Sequence, residues 1–261
     1  MLVSVVIPAH QSNDYLKKCL KSINSQNYSN YEVIVVSDNS KEVEDYVKQE
    51  YSHFKILNTH YEGHGVAKAR NLGADSAKGE LLIFIDSDCL APSNLIQTYV
   101  ENYMENCLMI GGIERWDDKA ENLLEGDLRD IFHILNENSS KDNLNKWWFE
   151  DISWSISHTL NFKSGNCAVD RKSFLEGFRF NEELLGFEDL YYAIEHYSLY
   201  ERIKYIDTFV KHLQPTTDWR KNKLKYNYKI FYDLVKQNYP VMLEVEQFIV
   251  MINMLEQGMN L

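Results

Sequence analysis

The stretch Leu81-Leu82-Ile83-Phe84-Ile85-Asp86-Ser87-Asp88 decides the fold. Consecutive large apolar residues, with no polar residue alternating among them, describe a strand buried on both faces, as in a parallel sheet sandwiched between helices. The run stops on two carboxylates one residue apart, and parallel sheets hold their ligands at the carboxyl ends of their strands. Working outward, residues 3–7 form a second apolar run closed by Pro8, and residues 32–36 a third, closed by Ser37-Asp38-Asn39-Ser40. Residues 54–57 read as a shorter strand. Helical periodicity fills the gaps: Leu16, Leu20 and Ile23, entered through Ser12-Asn13-Asp14; Val43, Tyr46 and Val47; and Val66, Ala69, Leu72 and Gly73, opened by Gly63 and Gly65. Pro92 stands near the start of another helix, with Leu95, Ile96, Tyr99 and Val100. This alternation predicts an α/β fold with helices on both faces of a sheet.

The rhythm breaks after that helix. Residues 117–151 are strongly acidic, poor in β-branched residues and end in the aromatic cluster Trp147, Trp148 and Phe149. They read as a mostly helical insertion over one edge of the sheet. Regular structure resumes at 161–169, Gly186-Phe187-Glu188-Asp189 leads into a helix over 190–199, and 203–206 looks like a last short strand. The remainder, from residue 211, reads as helical and aromatic-rich.

The 261 residues carry 39 acidic against 27 basic side chains, a formal charge of −12, with 44% hydrophobic and 25% charged residues. These values describe an ordinary globular chain with ample material for a core. No apolar run approaches the roughly 18–20 residues that span a bilayer, and the apolar start at 2–7 is too short for a signal peptide. Cys19, Cys89, Cys107 and Cys167 show no paired spacing, so a reduced, cytoplasmic chain is expected. The negative charge disfavours nucleic acid as a partner.

Asp86 and Asp88, at a strand tip, can hold a hard divalent cation through oxygen ligands, and such a cation can bridge a diphosphate. The alternative is a pair that caps the next turn. Asp38 can accept a hydrogen bond from a nucleobase N–H, or can equally close an Asx-turn. Gly63 and Gly65 at a helix start can admit a phosphate, and Lys68, Arg70 and Asn71 on that helix can face it or face solvent.

Taken in order, these pieces have a recognisable form. Val3-Ser4-Val5-Val6-Ile7-Pro8-Ala9-His10, Leu16-x-x-Cys19-Leu20-x-Ser22-Ile23-x-x-Gln26 and Glu32 through Ser40 resemble the opening of a family 2 glycosyltransferase with the GT-A fold. Gly65-x-x-x-Ala69-Arg70-Asn71-x-Gly73, Ala77-x-Gly79-Glu80 and Phe84-Ile85-Asp86-Ser87-Asp88 continue the resemblance, which resumes at Gly165-Asn166-x-Ala168 and Gly186-Phe187-Glu188-Asp189. It implies a mixed, mostly parallel sheet in a GT-A domain over 1–210, with a nucleotide-sugar half at 1–113, the insertion at 114–160 and an acceptor half at 161–210. A helical extension at 211–261 follows.

The resemblance also implies an inverting transfer from a nucleotide-sugar, usually a UDP-sugar, with Mn²⁺ or Mg²⁺. Pro8, Ala9, His10 and Asp38 would surround uracil and ribose; Asp86, with Ser87 beside it, would meet ribose or metal; Asp88 would ligate the metal directly. Glu188 and Asp189 match the family's late acidic pair, whose second member commonly acts as base; the bland reading is that both simply favour a helix N-terminus. His212 matches a late metal-site histidine. The basic excess at Lys211, Arg220, Lys221, Lys223, Lys225 and Lys229 could cover the diphosphate, meet a membrane surface or be merely solvated. Trp147, Trp148, Phe149 and Trp154 suit stacking on an acceptor sugar or a core, and Gly165 and Asn166 fall in the acceptor half.

The chain departs from the family at Gln11, Ser37 and Cys89, the last two lacking carboxylates common there. The acceptor is expected to be a carbohydrate, a lipid-linked sugar or a glycoprotein, as in polysaccharide or glycoconjugate synthesis, with at most peripheral membrane contact. Two rival functions remain: a non-catalytic nucleotide-sugar binder, and a sugar-nucleotide pyrophosphorylase. The second needs a basic, glycine-rich loop after the first strand, where this chain has Pro8-Ala9-His10-Gln11-Ser12-Asn13-Asp14.

Overall fold

A computed structural model describes residues 1–11, 13–61, 65–115, 159, 162–213, 218–245, 248–249 and 251–253. Residues 116–158, with nearly all of the expected insertion and its Trp147, Trp148, Phe149 and Trp154, lie outside the described residues, as do Ser12 and Gly63.

Strands β1 (Val3–Ala9), β2 (Tyr31–Ser37), β3 (Lys55–Asn58) and β4 (Leu81–Ile85) alternate with helices α1 (Asp14–Asn24), α2 (Lys41–Glu50) and α3 (Val66–Ser76). The order in the sheet begins β3-β2-β1-β4, all parallel. Alternate residues feed opposite cores, as the unbroken apolar runs require. Val5, Ile7, Val33, Val35, Ile83 and Ile85 join one cluster with Leu16, Leu20 and Ile23 of α1; Val6, Ile34, Val36, Leu82 and Phe84 join the other with Ala69 and Ala74 of α3. Asn13 caps α1, accepting from Leu16 N–H at 3.1 Å.

The second half differs from a simple continuation. After β5 (Cys89–Leu90) and α4 (Leu95–Glu101) come β6 (Leu108–Arg115), β7 (Asn166–Asp170), α5 (Arg171–Glu176), α6 (Glu188–Tyr200) and β8 (Ile203–His212). The sheet continues β4-β7-β6-β8-β5; β7 runs antiparallel to both neighbours, and β6 and β8 are parallel. The sequence marks neither β5, which is two residues long, nor β6, whose apolar run is interrupted by Gly111-Gly112. Those glycines are required by close approach: a Cβ on Gly112 would fall 2.1 Å from the Phe209 ring.

Strand β8 also outruns its expected end at residue 206. It passes through the 210/211 boundary, so Lys211 belongs to the sheet and not to a basic helical segment. Glu114, assigned to the insertion, is likewise in β6 and pairs with Lys211.

Helix α7 (Asp218–Asn238) and a 3₁₀ turn (Pro240–Glu244) follow, packing a third cluster onto α6. It contains Phe187, Tyr191 and Ile194 from the α6 side with Phe231, Val235 and Met242. At its margin Tyr239 Oη donates to Glu195 Oε1 at 3.5 Å, and burial pushes the Glu195 carboxyl up to about 7. The folded protein therefore holds a proton that the unfolded chain releases near about 4.3, so this group's contribution to stability falls as pH rises through that window to about 7. Glu195→Gln, which copies the protonated form, is expected to melt higher than the native chain at pH 8, with the gap closing towards pH 5. A melting difference that does not change with pH would remove Glu195 as its source.

Candidate active site

The tips of β1, β2 and β4 lie side by side, and each carries one of the candidate residues. Asp38, just past β2, donates its N–H to Ala9 O at 2.8 Å, tying the β2 tip to that of β1. Its carboxylate accepts from Gly65 N–H at 2.9 Å and from Thr59 Oγ1 at 3.1 Å. Gly65 is the N-cap of α3 and has no side chain to cap with, so Asp38 supplies the anion that the helix N-terminus favours. His10, exposed, brings Nδ1 to 3.4 Å from Asp38 O and 3.8 Å from its carboxylate. Pro8 and Ala9 are buried beneath it. Lys68 stands in the first turn of α3 with Nζ 4.6 Å from the centre of the Tyr61 ring. The expected nucleotide-side residues Pro8, Ala9, His10 and Asp38 are therefore adjacent.

Arg70, one turn into α3, is 3% exposed. Its Nη2 meets Asp86 Oδ1 at 2.8 Å and its Nη1 meets Glu188 Oε1 at 3.1 Å. The Phe180 ring lies 5.3 Å from its central carbon. Burial works against the guanidinium charge, but Asp86 and Glu188 outweigh it and hold the group more firmly charged than usual, with a smaller share from Asp189. The expectation that Arg70 faces phosphate is corrected: both ends of the guanidinium are engaged by carboxylates inside the protein. Glu188, 7% exposed, uses its second oxygen on Gly186 N–H at 3.0 Å. Asp189 is the half-buried member of the pair, with Oδ1 2.8 Å from the N–H of Leu190. Of the two residues expected to be catalytic, Asp189 alone combines a position in this cluster with access.

Asp88 takes a different partner. Strand β5 runs antiparallel to the end of β8, opposing Cys89 to His212, and Leu213 N–H donates to Asp88 O at 2.8 Å. His212 Nε2 and Asp88 Oδ2 come to 3.2 Å. Among the described residues no three His, Cys, Asp or Glu side chains assemble as a metal cage. An imidazole nitrogen beside a carboxylate oxygen is nevertheless a donor set that suits Mn²⁺ and, less well, Mg²⁺. Two protein ligands leave room for diphosphate oxygens and water. The residues fit the cation, with Asp86 held back by Arg70.

Three other expectations change with burial. Asn71 donates Nδ2 to Phe180 O at 2.8 Å and accepts from Phe180 N–H at 3.2 Å, so it fastens the 179–182 segment to α3 and does not face a ligand. Asn166, fully buried, accepts from Tyr99 Oη at 2.8 Å and donates to Gly112 O at 2.8 Å and Thr208 O at 3.2 Å. It crosslinks strands instead of touching an acceptor. Gly165 matters for its lack of a side chain, since a Cβ there would lie 2.5 Å from Asp86 Oδ2. Ser87 sits half-buried in the turn between the two aspartates. Sequence reasoning missed Thr59 and Glu114; neither carries a motif, and Thr59 is brought in by its hydrogen bond to Asp38 and Glu114 by the β6–β8 pairing that sets it against Lys211.

Residues 4–205 match the profile of glycosyl transferase family 2. The glycosyltransferase GlyG of Streptococcus pneumoniae serotype 4 is 33% identical over 127 residues, covering 46% of this chain and 42% of that protein. The chain thus spans less than half the length of that curated relative. Among solved structures, S. aureus TarS 1–349 in complex with UDP-GlcNAc superposes with a TM-score of 0.63 at 17% identity, covering 87% of this chain and 65% of that one. The mannosyltransferase PcManGT from Pyrobaculum calidifontis, in complex with GDP-Man and Mn²⁺, gives 0.59 at 18% identity, covering 90% and 64%. The mixed sheet is that of the GT-A glycosyltransferases. With acidic side chains at successive strand tips and a profile match running from β1 into β8, this chain belongs to glycosyl transferase family 2.

Proposed function

We propose that the protein transfers a sugar from a nucleotide-sugar, a UDP-hexose or UDP-N-acetylhexosamine, to an acceptor hydroxyl with inversion at the anomeric carbon. The observation that carries the reading is the two-handed contact of Arg70 with Asp86 and Glu188, which ties the β4 tip to the acidic pair opening α6. The nucleotide-sugars held by TarS and PcManGT support the donor class.

In this reading His10 and Asp38 take the nucleoside, and Asp88 with His212 would hold Mn²⁺ or Mg²⁺. When bound, the cation supplies Lewis-acid stabilisation of the charge that develops on the leaving diphosphate. The acceptor oxygen forms its bond to the anomeric carbon on the face opposite the nucleotide, as the bond from that carbon to the diphosphate oxygen breaks and its electron pair leaves with the phosphate. Asp189 takes the proton from the attacking hydroxyl. Such a base contributes about 10²–10⁴-fold in rate. The acceptor is a carbohydrate, free, lipid-linked or on a glycoprotein, in a polysaccharide or glycoconjugate pathway. Four free, buried cysteines support a reducing, cytoplasmic compartment. Among the described residues no helix is long and apolar enough to cross a membrane, and contact with one would be peripheral.

Screening nucleotide-sugars for transfer and hydrolysis with Mn²⁺ present is the first test; nucleotide binding without turnover of any donor would favour a non-catalytic binder. Asp88→Asn is expected to lower Mn²⁺-supported transfer at least roughly 100-fold, the size of effect a lost Lewis-acid contact gives. Retention of most activity would count against the metal role. Asp189→Asn should cost about 10²–10⁴-fold in kcat while UDP affinity by calorimetry stays near native; unchanged turnover would refute the base. Gly165→Ala should drive a methyl group into Asp86, destabilising by about 1–3 kcal/mol and lowering transfer together. A variant that melts and transfers like the native chain would show that Asp86 has room to move.

A further inference from the structure

The turn that delivers Asp189 is bent in an unusual way. Gly186 has φ 107° and Phe187 φ 65°, both left-handed. Glycine adopts this region freely, but a bulky residue such as phenylalanine does so only where its surroundings hold it there. Phe187 is the residue directly before Glu188 and Asp189, so its backbone angles set the direction in which α6 begins.

The holding contacts come from α7. The Phe187 ring, 4% exposed, stacks on Phe231 with centroids 5.0 Å apart and planes 15° from parallel. Asn227, one turn earlier on the same face of α7, donates Nδ2 to Leu185 O at 2.9 Å. Asn227 is 5% exposed and Phe231 fully buried. On the opposite side, Arg70 grips the Glu188 carboxylate. The turn at 185–187 is thus held between α3 and α7, and α7 lies beyond the residues that match the family profile, which end at 205.

We infer that α7 is a positioning element of the transfer site: Asn227 and Phe231 keep the 185–187 turn in its left-handed conformation and so aim Asp189. Neither residue reaches the reacting atoms; each acts through the backbone that carries the carboxylate. The inference rests on the reading of Asp189 as base, and it predicts an effect on turnover separable from donor binding, because the nucleotide-side residues sit at the tips of β1 and β2. Displacing a catalytic group by a fraction of an ångström lowers rate without altering the binding of the nucleotide.

The test compares Asn227→Ala and Phe231→Leu in the full chain, measuring transfer kcat, donor KM, UDP affinity by calorimetry with Mn²⁺, and thermal melting. Asn227→Ala deletes one hydrogen bond; Phe231→Leu keeps an apolar side chain but removes the flat face. Both are expected to melt cooperatively, to lose about tenfold in kcat, and to keep donor KM and UDP affinity within a factor of two or so. Native kcat in both folded variants would overturn the inference. So would a loss of UDP affinity in proportion to kcat, the mark of general loosening. Asp189→Asn, run alongside, separates the two readings. If it loses transfer while Asn227→Ala and Phe231→Leu do not, only the positioning role fails; if it retains transfer, the base assignment fails and the positioning role with it.

Discussion

One buried guanidinium organises the acidic side chains of this protein. Arg70 is withdrawn from water on a rigid helix, and it stays charged because Asp86 and Glu188 lie within 2.8 and 3.1 Å. Those two carboxylates belong to segments far apart in the sequence, one at the tip of β4 and one at the start of α6. Without the cation between them they would repel, and removing one partner of such a buried cluster typically costs about 3–5 kcal/mol. The same helix has its N-terminus fastened by Asp38 at the tip of β2. Helix α3 therefore ties two strand tips and a distant helix into one arrangement.

That arrangement divides the work within each acidic pair. In Asp86-Ser87-Asp88 the first carboxylate is fixed on Arg70, and the second meets His212 at the end of the neighbouring β8. In Glu188-Asp189 the first is enclosed by Arg70 and the Gly186 N–H, and the second is left half-buried and accessible. Each pair thus has one carboxylate fixed on Arg70 and one that takes a different partner, His212 for Asp88 and the Leu190 N–H for Asp189. A carboxylate anchored by its neighbour loses little orientation on meeting a ligand, which is the advantage of preorganised groups over mobile ones. The thiols beside the site are excluded from chemistry by the same burial. The Cys19 and Cys89 thiols are pushed far up by desolvation, with Asp88 and Asp86 adding to it.

What the sequence revealed follows from the range of the interactions. Strands β1, β2 and β4 and the helices between them were legible because parallel, doubly covered strands write continuous apolar runs. Asp38, Asp88 and Asp189 stand out in the sequence because an ordered series of motifs carries them. Strand β6 was hidden by Gly111-Gly112, whose glycines answer to Phe209 and Asn166 on other strands, not to a turn. For Arg70 and Asn71 the motif leaves phosphate and solvent open, and Asn166 reads only as part of the acceptor half, since nothing in a linear motif distinguishes a polar side chain that meets substrate from one that crosslinks the interior. Phe187 appears in the sequence only as a member of the late motif and Phe231 not at all; a left-handed phenylalanine and its stacking partner are properties of packing.

The end of β8 shows how an irregularity serves the site. Gly111 pairs with Ile206, but Gly112 pairs with Phe209, so Asp207 and Thr208 are extra residues on the β8 side. In an unbroken register Arg115, at the end of β6, would oppose Val210; with the bulge it opposes His212. Two inserted residues preserve the alternation of faces while advancing β8 by one pleat, and bulges beside functional sites commonly re-aim a side chain in this way. The bulge leaves backbone carbonyls needing partners, and Asn166 Nδ2 supplies one to Gly112 O and one to Thr208 O from the middle of the sheet. Asn166 thus pins the bulge by which His212, 3.2 Å from Asp88, takes the place opposite Arg115 that Val210 would hold in an unbroken register.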